Sequence, residues 1–160
     1  LLALSILLLS VSNCGSSKDT KAIRLESNPP FTISEIFAQD WVAGVKEGGS
    51  GTNVHVTFDK LNEDLSIENI YFDKKVLFVR QAGNIPKTFV GSYKTVSGRD
   101  VVMDSDPTKE AKNTPAPAFP FELGSTEAVI KYGMDGTSKY YKVSDVVLKP
   151  KLAYPAANKN

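Results

Sequence analysis

Proton-transfer chemistry most often begins at a histidine, and this chain has one, His55. Any Ser-His-Asp or Cys-His mechanism must use it. It sits in Val54-His55-Val56, an alternating stretch that points it away from the apolar side chains, so it reads as a surface residue of a strand. Ser50 lies between glycines, but Thr52 takes the place of the second glycine of a G-x-S-x-G nucleophile elbow. Gly48-Gly49-Ser50-Gly51 also lacks the Gly-Lys-Ser/Thr ending of a phosphate-cradling loop, and reads as a hairpin tip. One Cys and one His exclude a Cys/His zinc site, which takes about four ligands.

Asp104 and Asp106, with Glu110, are the candidates closest to a metal site, because carboxylates two apart in a loop can converge on calcium. An EF-hand loop starting at Asp104 would need Gly where Lys109 stands and Glu where Pro115 stands. The stretch Asp104-Ser105-Asp106-Pro107 therefore reads first as a turn. The other acids are too scattered to nominate a pair for glycoside hydrolysis. No catalytic residue and no cofactor is assigned, and a non-enzymatic protein is expected.

The chain has 160 residues, 19 Lys+Arg against 18 Asp+Glu, and 41% hydrophobic residues. This is the length and composition of one globular domain. A net charge of +1 lacks the basic excess of a nucleic-acid binder, and no nucleic-acid partner is expected.

Residues 1–9 read LLALSILLL, followed by Ser10, Val11, Ser12, Asn13 and Cys14. The run is too short for a membrane-spanning helix, which takes about 20 residues. An apolar core followed by small residues has the form of a secretory signal. Without a Met or a basic leader, residues 1–13 are expected to be such a signal, truncated at its start. This region resembles the signal and lipobox of bacterial lipoprotein precursors, with Cys14 at the position of that family's acylated cysteine. Val11 stands where Leu is usual, and Asn13 where Gly or Ala is usual.

The resemblance implies lipidation of Cys14, removal of the signal, and a membrane anchor. The expected location is the outer membrane, facing the periplasm or the cell surface. A sole cysteine in an exported chain fits, since it cannot form an internal disulfide. Residues 15–21, small and polar, then form a tether, completing a segment 14–21. Ser17-Lys18-Asp19 is also similar to the Lys-acidic run that sends some Gram-negative lipoproteins to the cell surface; a plain tether is the alternative.

Residues 22–152 read as a single all-β domain, an antiparallel β-sandwich of about 8–9 short strands, with a small β-barrel as the alternative. Three hairpins are expected. They join 39–46 to 52–59, 87–96 to 99–104 across Ser97-Gly98, and 127–132 to 138–147 across Met134-Asp135-Gly136. Further strands are expected at 65–72 and 75–81, turning at Asp73-Lys74, and at 22–26. Residues 34–45 carry the only helical spacing and read nearly as well as a strand. Val54, Val56 and Phe58 share one face, as do Ala128, Ile130 and Tyr132. Val76-Leu77-Phe78-Val79, apolar on both faces, is expected to be central. Residues 104–120 hold four of the nine prolines and read as a long surface loop. Residues 149–160 are expected to fray, with 153–160 a flexible tail.

Phe31, Phe37, Trp41, Phe119, Phe121, Tyr140 and Tyr141 are the remaining candidates for contact with a ligand. Aromatic rings at a β-rich surface stack on sugars or anchor a protein, although burial in the core is their ordinary fate. Tyr140 and Tyr141, being adjacent, must point to opposite faces of a strand. The expected function is a non-enzymatic binding or interaction module of the envelope, meeting a protein or glycan. The alternative is a barrel-like carrier of a hydrophobic ligand, with a cavity lined by Phe58, Phe72, Phe78, Phe89 and Tyr93.

The anchor gives the first prediction. In a host that processes lipoproteins, Cys14→Ser in the complete precursor should move the protein from the membrane to the soluble fraction. Membrane retention equal to that of the unaltered protein would reject the anchor.

Overall fold

The computed structural model describes residues 23–45, 48–95 and 119–155. Cys14 with residues 1–21, the hairpin at Ser97-Gly98, and Asp104, Asp106 and Glu110 lie outside the described residues. Nine strands are present: β1 (Leu25–Glu26), β2 (Phe31–Val42), β3 (Ser50–Leu61), β4 (Ser66–Phe72), β5 (Lys75–Gln81), β6 (Thr88–Thr95), β7 (Ala128–Met134), β8 (Thr137–Val143) and β9 (Val147–Ala153). There is no helix among the described residues. The strands form one sheet, in the order β1-β8-β7-β4-β5-β6-β3-β2-β9, curled into a half-barrel.

The all-β class and the strand count are those expected, and the single curled sheet is the barrel-like form of that expectation. The pairings are antiparallel except at the two ends, where β1 runs parallel to β8 and β9 parallel to β2. These exceptions have one cause. Each outermost strand is joined by a short link to a strand at the other end of the sheet. Val143 ends β8 and Val147 begins β9, a reach of about 14 Å at full extension. In a flat sheet the seven spacings between these strands would need about 34 Å. The sheet must therefore curl until its ends approach.

Several local features favour the curl. The β2–β3 register shifts on both sides of Ile33, and such bulges bend and twist a strand. Gly91 on β6 leaves room on the concave side: a Cβ there would lie 3.1 Å from both Ile70 Cδ1 and Leu77 Cβ. Both tight hairpins have positive φ at their two central residues, Asp73-Lys74 (46° and 57°) and Asp135-Gly136 (52° and 72°). That geometry matches the right-handed twist of the strands they join.

The concave face holds the core. Val54, Val56 and Phe58 of β3, Ile70 and Phe72 of β4, Leu77 of β5, and Ala128, Ile130 and Tyr132 of β7 are buried together. The alternation read from β3 and β7 is thus the observed one. Phe31 of β2 is 7% exposed. Its ring meets Phe58, Tyr132 and Tyr141 edge-to-face at 5.1, 5.2 and 5.6 Å. It therefore joins side chains from both ends of the sheet.

Two expectations are corrected. Residues 34–45 are mostly strand: Ile36 faces the core while Phe37 and Trp41 face outward, so the helical spacing does not mark one buried stripe. Residues 149–153 do not fray, because they belong to β9 and pair with β2. β5 is central in strand order, as expected, although among the described residues no second layer covers its outer face. Leu77 is 0% exposed and its neighbour Phe78 66%.

Phe31→Ala should lower unfolding stability by about 3–5 kcal/mol, the usual cost of truncating a buried phenylalanine. Phe78→Ala should stay within about 0.5 kcal/mol of the unaltered protein. Urea denaturation of both variants measures this; equal losses would contradict the one-sided core.

Candidate functional site

Residues paired across neighbouring strands share a face of the sheet. On the convex face the register therefore sets Asn53, Ser92, Phe78, Asn69, Lys131 and Tyr140 in one row across β3, β6, β5, β4, β7 and β8. Four polar residues share the row with two aromatic ones, Phe78 projecting near the middle and Tyr140 at one end.

One end of the row is an aromatic patch. Phe121 lies 4.8 Å from Tyr71 and 5.7 Å from Tyr140, and Phe119 lies 6.0 Å from Tyr71, measured between ring centroids. All four rings are half-buried. Val129, the β7 partner of Tyr71, is completely buried although it lies on the convex side, outside the core cluster. Residues 124–127 are tied down beside the patch: Gly124 N–H donates to Glu127 Oε2 at 2.8 Å, and Glu127 Oε1 lies 2.7 Å from Lys142 Nζ. The Gly124 hydrogen bond, then Lys142, holds the Glu127 carboxyl below the usual range. Lys131 Nζ lies 2.6 Å from Glu68 Oε2, which also accepts from Ser138 Oγ at 3.1 Å. The hydrogen bond to Glu68 raises the Lys131 pKa, and burial raises that of Tyr71.

The other end is a hollow of about 310 Å³ lined by Trp41, Asn53, Arg80, Ser92, Tyr93, Lys94 and Tyr154. Gly51 makes room for the tryptophan. A Cβ there would stand 2.6 Å from Trp41 Nε1 and 2.7 Å from Cε2, so the indole lies against bare backbone. Tyr154 meets the indole edge-on at 6.2 Å. Ser92 Oγ is buried and has no hydrogen-bond partner among the described residues. Such a group costs about 1–3 kcal/mol and calls for an explanation.

On β2, four residues before Trp41 and beside β9, Phe37 is sandwiched. The His55 ring stacks on it at 4.5 Å, with an interplanar angle of 8°, and Lys149 Nζ lies 3.2 Å from the Phe37 centroid. Burial, then the Lys149 cation, lowers the His55 pKa, with Glu35 opposing and Arg80 adding a smaller decrease. His55 is on the outer face of its strand, while Ser50, five residues away, has the opposite parity. The two do not form a catalytic pair.

The interior differs from the expected ligand cavity. Phe58 and Phe72 are in the packed core, Phe89 and Tyr93 pack against it, and Phe78 projects on the opposite face. The five rings cannot line one chamber, because Phe78 follows the inward Leu77 and must point away from it. Tyr141 turns inward to Phe31 and Tyr140 outward, the split that adjacent strand residues require. A separate groove of about 620 Å³ runs along the seam where the first half of β2 faces the end of β8.

Among the described residues no group of three or more His, Cys, Asp or Glu could hold a metal ion. No helix among them is long and apolar enough to cross a membrane. Sequence reasoning singled out Trp41, Phe119, Phe121 and Tyr140 but missed Tyr71, Arg80, Ser92 and Lys94. Alternation places each of these on the outer face of its own strand, but the strand order is needed to see them meet. No family model, curated protein or solved structure matches the chain.

His55 gives a test of this geometry. As the only histidine, it should show a single imidazole titration by NMR, with a midpoint below 6.5. Lys149→Ala should move that midpoint up. A folded-state pKa below the unfolded value makes the unfolded chain bind more protons between the two values. The His55 contribution to stability is therefore complete above the unfolded value and declines as pH falls through the folded one. A midpoint at or above 6.5 in the unaltered protein would contradict the stack.

Proposed function

We propose that this chain is a lipoprotein of the bacterial cell envelope, anchored in the outer membrane through Cys14. Its β domain is a non-enzymatic binding module whose convex sheet face recognises an envelope glycan. The anchor is supported by the apolar run before a sole cysteine and by the polar tether after it. More than one acyl chain is needed for stable attachment, which the lipoprotein pattern supplies.

The glycan reading is carried by one observation: the convex face sets aromatic rings at both ends of a row of amide and hydroxyl side chains, with Phe78 exposed between them. Aromatic faces stack on the C–H faces of sugars, while amides and hydroxyls hydrogen-bond to sugar hydroxyls. The five strand spacings from Asn53 to Tyr140 cover roughly 24 Å, a span suited to an oligosaccharide. The packed interior lends no support to a carrier of a hydrophobic ligand.

A protein partner is the second reading, favoured by the seam. β2 pairs with β9 only from Phe37 onward, so the preceding residues of β2 present an edge that an extended segment could join.

Isothermal titration of the detergent-extracted full chain with a panel of neutral and acidic oligosaccharides tests the first reading. Phe121→Ala and Tyr140→Ala should each weaken the bound oligosaccharide by more than about fivefold, as truncation of a contact ring does. Absence of heat with every oligosaccharide would reject the glycan reading, and capture of an extended peptide lost on Ser34→Pro would favour the seam.

A further inference from the structure

The hollow at Trp41 differs from the aromatic patch at the other end of the row in charge. Around Tyr71 the cations are matched: Lys131 pairs with Glu68, and Lys142 with Glu127. Around Trp41 they are not. Arg80 and Lys94 both line the hollow, no carboxylate does, and among the described residues neither forms an ion pair. Both belong to exposed positions of β5 and β6, and Ser92 lies on β6 two residues before Lys94, on the same face.

We infer that this hollow is the subsite for an acidic sugar unit, with the carboxylate of a uronic acid held between Arg80 and Lys94 and its ring against Trp41. This rests on the glycan reading of the convex face and adds the chemical class of the ligand. Three features carry it. A guanidinium fork takes both oxygens of a carboxylate, and a lysine beside it adds a second positive charge. The indole is fixed in place by the bare backbone of Gly51 beneath it and by Tyr154 at its edge, so it presents a preorganised wall. The Asn53 amide, paired with Ser92 at the wall of the hollow, can bond to sugar hydroxyls. A neutral sugar would satisfy the amide and the indole but would leave both cations unmatched.

Trp41 is the only tryptophan, so its fluorescence reports this subsite alone. The experiment titrates the detergent-extracted full chain with an oligogalacturonide, a neutral oligogalactoside of the same length, and galactose 1-phosphate. Trp41 emission and calorimetric heat are followed together. The oligogalacturonide should change the emission saturably and bind about tenfold more tightly than the neutral oligomer, a difference of about 1.4 kcal/mol. Arg80→Ala and Lys94→Ala should each remove most of that preference and reduce its salt dependence. Lys60→Ala, at an exposed position of β3 outside the hollow, should change neither, and unchanged melting temperatures confirm intact folds.

Equal affinity for the acidic and neutral oligomers would overturn the inference, and so would an acidic preference that survives both substitutions. Tighter binding of the sugar phosphate than of the uronide would overturn the carboxylate assignment. Heat that is lost in Phe121→Ala while Trp41 emission stays unmoved would leave the glycan reading standing and reject this subsite. No heat with any oligosaccharide would reject both.

Discussion

The three residues between β8 and β9 set the form of the whole domain. Ser144, Asp145 and Val146 are all that separates a strand near one end of the sheet from a strand at the other. A link this short cannot cross a flat nine-stranded sheet. The segment between β1 and β2 makes a second short crossing between the same ends. Val146 is itself buried, and its N–H donates to Thr126 O at 3.0 Å, so the link is pinned as well as short. Phe31 then supplies the contact that makes the curled state favourable, since its ring meets residues of β3, β7 and β8 at once.

A sheet that buries its own concave side needs no second layer. Its convex side carries less of the packing, with Val129 and Val90 as buried residues there, and many of the other positions can be chosen for other ends. This accounts for the contrast within β5, where an inward leucine sits beside an outward phenylalanine of similar hydrophobicity and opposite exposure. It also accounts for where the charged groups lie. The ion pairs of Lys131 and Lys142, the cation over Phe37, and the Arg80–Lys94 hollow are all on the convex side or its rim. Opposite charges on such a surface contribute little to stability.

Much of the strand pattern was legible in the sequence. Val54-His55-Val56-Thr57-Phe58 announced its own faces, and Asp135-Gly136 announced its turn. β5 was bounded correctly from its apolar run and the turn at Asp73-Lys74. What local pattern could not supply was partner choice. Whether Phe78 meets a second sheet or solvent depends on how far the one sheet curls, and that depends on links elsewhere in the chain. β9 was obscured for a related reason: Lys149, Pro150 and Lys151 look like a solvated tail, yet Lys149, Leu152 and Ala153 pair with β2. The site was legible only as separate aromatics. Tyr71 and Phe121 are remote in sequence, and Arg80 and Lys94 sit on strands whose adjacency no motif encodes.

The same β9 has a bearing on how copies of this domain behave together. One side of it is bonded to β2, and among the described residues the other is the free border of the sheet. Free borders invite neighbouring chains to add on, strand after strand. Here that border carries a proline, which has no N–H to offer, between two lysines that repel their counterparts on an approaching copy. Gln39 Nε2 donates to the Pro150 carbonyl at 2.8 Å, taking up an acceptor from the same strand. At the opposite border β1 is only two residues long. Among the described residues, both borders of the sheet are thus poor templates for a further strand.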